Sequence, residues 1–232
     1  MLFSNLAGFM LAGLAAATTN SFSYERLSQN NSVLLIVDHQ VGLINLARDF
    51  DGQLFYQNMI AHAALGKLFD IPVIITTSTE DGANGPIPKE IFEMYPDAPI
   101  IARPGEINAW DNPEFRDAVK ATGRKQVIIA GIATEVCVAF AALSMREEGY
   151  GVWANVEASG TTSTLVRDAA NLRMQAAGVQ LGGIFSIVGE LWRDHRNVPG
   201  GEKVIAWLQK YAPTYTVATQ QFNAIKGSAA AE

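Results

Sequence analysis

The sequence predicts an α/β protein: one domain of three layers, α/β/α, built on a six-stranded, mostly parallel, doubly wound sheet. Short apolar runs such as "SVLLIV" and "QVIIA" recur between longer stretches with helical spacing. Strands joined through helices must run parallel, because each crossover returns the chain to the same edge of the sheet. A length of 232 residues, 49% of them hydrophobic, suits one large domain.

The elements follow in order. Ser32–Val37 is a short apolar run, as expected of a strand buried on both faces. Helical spacing of Leu54, Ala61, Leu65 and Leu68 marks 53–69 as the first helix. The second strand spans 71–77, with Pro72 at its entrance, where a missing N–H does least harm. Polar residues, two glycines and two prolines make 78–88 a loop, and a short helix is expected over 90–95. A third strand at 99–102 leads into the loop "RPGEINAWDNP". Asn112 as N-cap, Pro113 at the first helical position and Gly123 as the stop delimit a helix over 113–122. The fourth strand, 126–130, precedes a helix over 134–148 closed by Gly149. Strands at 151–156 and 179–185 flank a helix over 165–177, and a last helix covers 202–211 before the tail.

Composition excludes several functions. With 17 Lys and Arg against 23 Asp and Glu, the net charge is -6, and no basic run offers a surface for nucleic acid. The single cysteine, Cys137, forms no intrachain disulfide, and the three histidines lack metal-ligand spacing. The apolar run 6–17 ends in three alanines like a signal segment, yet no Lys or Arg precedes it, and it is too short to span a bilayer. A cytoplasmic location is expected, with periplasmic export as the alternative if that run is a cleaved signal. Export would leave a free thiol in an oxidising compartment, which is unusual.

Ligands of doubly wound sheets sit beyond the C-terminal ends of strands. Three chemically capable side chains fall there: Asp38 after the first strand, Arg103 after the third and Cys137 after the fourth. A carboxylate emerging from a buried strand is a better base through desolvation. A thiol in the first turn of a helix should be drawn toward thiolate by the dipole, with free backbone N–H groups nearby for an oxyanion. A permanent cation beside both would favour both ionised forms. Each residue alone has an ordinary reading: a loop salt bridge, a loop arginine and a small core hydrophobe.

The motifs "LLIVDHQ", "IARPGEINAWDN" and "VIIAGIATEVCVAFAAL" resemble the isochorismatase-like hydrolases, the superfamily of nicotinamidases and carbamoylsarcosine amidases, most closely a metal-free bacterial branch of undetermined substrate. The resemblance implies a hydrolase domain over 32–212, an N-terminal extension over 1–31 and a C-terminal tail over 213–232. It implies a catalytic triad of Asp38, Arg103 and Cys137, with Arg103 standing where much of the family has lysine. It implies a cis peptide between Ile132 and Ala133, with the N–H groups of Ala133 and Cys137 as the oxyanion hole. No cofactor is expected. The segment "TTSTEDGANGP" has no histidine where nicotinamidases hold their metal, so no metal is implied either. The implied reaction is hydrolysis of a small amide, or related C–N or ester substrate, through a thioester. Relatives of this branch form rings or octamers, so a homo-oligomer is implied. Gln40, Ile107, Asn108 and Trp110 are candidate pocket residues, Trp110 either as an apolar wall or at a subunit contact. The aromatic residues Trp207, Tyr211, Tyr215 and Phe222 suit a subunit contact or packing on the chain's own sheet. His39 and Glu135 flank the triad without an assigned role.

Two other readings compete. Cys137 could serve thiol redox chemistry, given a resolving thiol from another molecule. The chain could instead be a catalytically retired oligomeric scaffold. A nucleotide site is disfavoured because "GIATEV" lacks the G-x-G-x-x-G spacing.

Overall fold

Among the described residues, six strands form one sheet in the order β3-β2-β1-β4-β5-β6, and every pairing is parallel. The strands are β1 (Ser32–Val37), β2 (Val73–Ser78), β3 (Ile100–Arg103), β4 (Gln126–Gly131), β5 (Gly151–Asn155) and β6 (Gln180–Gly182). The computed structural model describes residues 24–217, 220, 221, 224 and 225. The signal-like run 6–17 and Phe222 lie outside the described residues.

Strand alternation divides the interior into two layers. Leu34, Ile36, Ile75, Ile128 and Trp153 point to one face, where α1 (Gly52–Phe69), α6 (Ile184–Trp192) and α7 (Gly201–Tyr211) cover them. Val33, Leu35, Val37, Val127, Ile129 and Val152 point to the other, under α3 (Pro113–Ala121), α4 (Ala139–Glu147) and α5 (Thr164–Ala176). The short α2 (Lys89–Met94) packs beside α1. Central β1 is buried along its whole length, which is why it is apolar from Val33 to Val37. Asn112 caps α3 as its sequence predicts: its side chain accepts the Phe115 N–H at 2.9 Å, and Pro113 opens the helix. Gly123 and Gly149 follow α3 and α4 with positive φ, a conformation that favours glycine.

Two expected elements differ. The strand expected over 179–185 is only Gln180–Gly182, and the chain turns at Gly183 into α6. Ile184, Ile187, Val188 and Leu191 recur at helical spacing and bury one face of that helix, a pattern that extends beyond the short strand-like run. The helix expected over 134–148 begins as a π-helical turn, Thr134–Val138, before α4. Trp207 lies in the core on the chain's own sheet, donating its indole N–H to the Ala64 carbonyl at 3.3 Å, with Tyr211 against it.

Candidate active site

The sheet order puts β1 between β2 and β4, so the segments after β1 and β4 open side by side. Asp38 follows β1 directly with φ 54, a left-handed conformation that aspartate tolerates better than most side chains. Its N–H donates to the Thr76 carbonyl at 2.9 Å, and its carbonyl accepts the Gln40 N–H at 2.8 Å. The carboxylate is fully buried.

Arg103 ends the edge strand β3 and reaches across β2 to Asp38 with only 1% of its surface exposed. Its Nη2 donates to Asp38 Oδ1 in a buried ion pair. Its Nε donates to Thr76 Oγ1 at 2.9 Å, and that hydroxyl donates onward to the Ile101 carbonyl at 2.8 Å. Its Nη1 donates to the carbonyls of Glu106 and Ile107. A buried charge is tolerable only when paired and hydrogen-bonded, and this guanidinium is both. Thr76, Glu106 and Ile107 therefore hold the cation in place. Thr76 carried no distinguishing signal in "VIITTS", because a hydroxyl inside a strand reads as ordinary packing.

Cys137 lies within the π-helical turn and keeps partial exposure. Burial pushes its thiol pKa up to about 12, and the charge and hydrogen-bonding capacity of Asp38 push the same way. The Ala133 backbone N–H and the Arg103 cation act in the opposite direction without prevailing. The sulfur, the carboxylate, the guanidinium and the Ala133 N–H thus share one neighbourhood. Asp38 Oδ2 is buried and accepts no well-formed hydrogen bond, which leaves it the lone pairs to take a proton. The Ile132–Ala133 peptide is cis. Thiolate favoured at rest is corrected by this arrangement. Desolvation and a neighbouring anion outweigh the helix terminus and the cation, so the resting sulfur is a thiol.

The candidate pocket residues fare differently. Gln40 is buried and its carboxamide is fully engaged. Oε1 accepts the Ser78 N–H at 2.8 Å, while Nε2 donates to the carbonyls of Ser78 at 3.0 Å and Gly85 at 2.5 Å, pinning the loop after β2. Asn108 accepts the Trp110 N–H at 3.1 Å and donates to Ser144 Oγ at 3.0 Å, tying its loop to α4. Trp110, 4% exposed, stands edge-on to Phe115 and Tyr150 and donates its indole N–H to Glu148 at 2.8 Å. That ring sits in the helix–sheet packing rather than as a pocket wall, because Phe115 and Tyr150 enclose its apolar body and only its N–H reaches out to the exposed Glu148. Ile107 alone presents its side chain outward, 64% exposed beside the carbonyl that holds Arg103. Among the described residues no group of three or more His, Cys, Asp or Glu could hold a metal ion, and no helix is long and apolar enough to cross a membrane.

His39 and His62 form a buried polar chain behind the site. His39 Nε2 donates to the Ala158 carbonyl at 2.8 Å, and its ring meets that of His62 edge-on at 6.1 Å. His62 Nε2 donates to the Leu35 carbonyl at 3.1 Å and its Nδ1 faces Asn155 Nδ2 at 3.2 Å. Both rings are neutral. Burial lowers His39 to about 4; burial first and then the nearby His39 lower His62 to about 3.

A family model described as the isochorismatase domain matches residues 32–184. The "Probable hydrolase YcaC" of Escherichia coli (strain K12) is 52% identical over 174 residues, covering 75% of this chain and 84% of that protein. The solved structure of YcaC from Pseudomonas aeruginosa with hexane-2,5-diol and covalent acrylamide superposes with a TM-score of 0.84 at 52% identity, over 88% of this chain and 100% of that one. The solved structure of the Escherichia coli ycaC gene product, described as an octameric hydrolase of unknown specificity, superposes with a TM-score of 0.85 at 46% identity and the same coverage.

Proposed function

Because this chain belongs to the isochorismatase-domain family of hydrolases, we propose that it hydrolyses a small amide, or a related C–N or ester bond, with Cys137 as nucleophile. The observation that carries this reading is the convergence of Cys137, Asp38, Arg103 and the Ala133 N–H. Asp38 takes the thiol proton as the sulfur attacks the carbonyl carbon, which suits a sulfur that rests as a thiol. The resulting oxyanion is held by the N–H groups of Ala133 and Cys137; losing one such donor typically costs about 3–4 kcal/mol of barrier. Asp38 then returns the proton to the leaving amine or alcohol as the C–N or C–O bond breaks. A water gives its proton to the same carboxylate, attacks the thioester and releases acid and thiol. Arg103 fixes Asp38 and balances its charge; it does not release a proton, since guanidinium stays protonated in proteins.

Covalent acrylamide in the Pseudomonas aeruginosa relative agrees with a nucleophile in this fold, since acrylamide is an acceptor for soft nucleophiles. The test pairs hydrolysis of a panel of small amides and esters with iodoacetamide labelling. Alkylation at Cys137 should abolish turnover. Asp38→Asn should abolish turnover while making Cys137 alkylate faster at neutral pH, because the carboxylate that disfavours thiolate is gone. Full activity after alkylation, or normal turnover in Asp38→Asn, removes these residues from the chemistry. We extend the octameric assembly of the Escherichia coli relative to this chain as well, and light scattering should give a mass near eight times 25.0 kDa.

A further inference from the structure

A cavity of about 290 Å³ opens beyond the ends of β5 and β6, and no member of the triad lines it. Gln57 and Asn58 on α1 form one side, Glu157 and Ile184 another, and Tyr211 and Tyr215 the third. The volume is at the small end for ligand pockets, which run to roughly 300–1,000 Å³.

Its polar groups keep hydrogen-bonding capacity to spare. Asn58 is only 8% exposed, yet its carboxamide makes no hydrogen bond to any other described residue. Neither amide atom is fully enclosed, so both stay reachable from the cavity that Asn58 lines. Gln57, one residue earlier on the helix, is likewise unpaired among the described residues. Glu157 uses one oxygen, Oε2, to accept the Ile184 N–H at 2.6 Å at the start of α6. Its other oxygen accepts nothing, and no Lys or Arg pairs with it among the described residues. Tyr215 stacks on Phe185 at 4.5 Å and Tyr211 leans on Trp207 at 5.4 Å, so both rings are braced. The Tyr215 hydroxyl is close enough to Glu157 for that charge to add to burial in raising its pKa.

We propose that this cavity binds a small organic cation, a primary ammonium on a compact apolar body. The ammonium meets the free oxygen of Glu157 and donates to the Asn58 and Gln57 carboxamides. The apolar body lies against the tyrosine rings and is buried there. A neutral ligand of the same shape would leave the carboxylate unpaired, and an anion would be repelled by it.

The test uses the full chain, with benzylamine as probe and benzyl alcohol as its neutral counterpart, followed by saturation-transfer NMR titration. Benzylamine should saturate in the millimolar range, about tenfold or more tighter than benzyl alcohol. Glu157→Gln keeps an acceptor for the Ile184 N–H and should weaken benzylamine about tenfold. Asn58→Ala, which leaves the charge intact, should weaken it about threefold or more. Cys137→Ala should leave benzylamine binding unchanged, which separates this cavity from the triad and from the hydrolase reading. Absence of saturation, equal binding of amine and alcohol, undiminished binding in both cavity variants, or loss of binding in Cys137→Ala would each overturn the proposal.

Discussion

Lowering the pH from 7.5 to 5 should weaken this fold chiefly through His39 and His62. The geometry requires both rings to be neutral. His39 Nε2 must carry a proton to reach the Ala158 carbonyl, and its Nδ1 has no acceptor for a second one. His62 Nε2 must carry a proton to reach the Leu35 carbonyl. Asn155 Oδ1 accepts the Glu157 N–H, so its amide nitrogen faces His62 Nδ1, which is therefore an acceptor. Folded pKa values of about 4 and about 3 stand below the unfolded value of 6.5. The sign follows: the unfolded chain binds more protons, so stability is intact above 6.5 and falls as pH drops toward the folded values. At pH 5 the unfolded histidines are nearly all protonated, each costing the fold about 2 kcal/mol, or about 4 kcal/mol together. Domains are typically stable by about 5–15 kcal/mol, so the loss is large. Urea unfolding at pH 7.5, 6.5, 5.5 and 5, at one fixed protomer concentration, reads it directly. Stability constant to within about 1 kcal/mol across that range would refute the neutral, donor-fixed pair.

Two further substitutions test how the site is held. Arg103→Ala leaves the buried Asp38 carboxylate without its cation and should cost about 3–5 kcal/mol in urea unfolding; an effect below about 1 kcal/mol would mean that water replaces the guanidinium freely. Gly160→Ala would set a methyl 2.6 Å from the Ala47 Cβ and 2.8 Å from the Phe55 ring, directly under the π-helical turn whose Thr134 N–H donates to the Gly160 carbonyl. Overpacking of this kind costs about 1–3 kcal/mol, so the melting temperature should fall, and hydrolysis with it.

Much of the site was legible because strand ends announce themselves. Asp38 directly follows one apolar strand and Cys137 lies in the turn that follows another, and that position says which edge they share. The cap at Asn112 was legible for the same local reason. Trp110 was not. An aromatic in a polar loop looks available for a ligand, and only its distant partners Tyr150 and Glu148 reveal that it is packed away. The α6 helix was obscured because the apolar run joining β6 to it reads equally as strand until its spacing is followed past Gly183.

The sequence by itself determined the alternation of strands and helices, the buried character of β1 and β4, and the candidacy of three reactive side chains, since all of these are properties of neighbours along the chain. Tertiary structure alone decided that Arg103 crosses β2 to pair with Asp38, that Cys137 rests as a thiol, and that His39 and His62 share one dry interior. Ionisation depends on burial and on charges brought close from remote segments. Those distances exist only once the sheet has set β1 between β2 and β4.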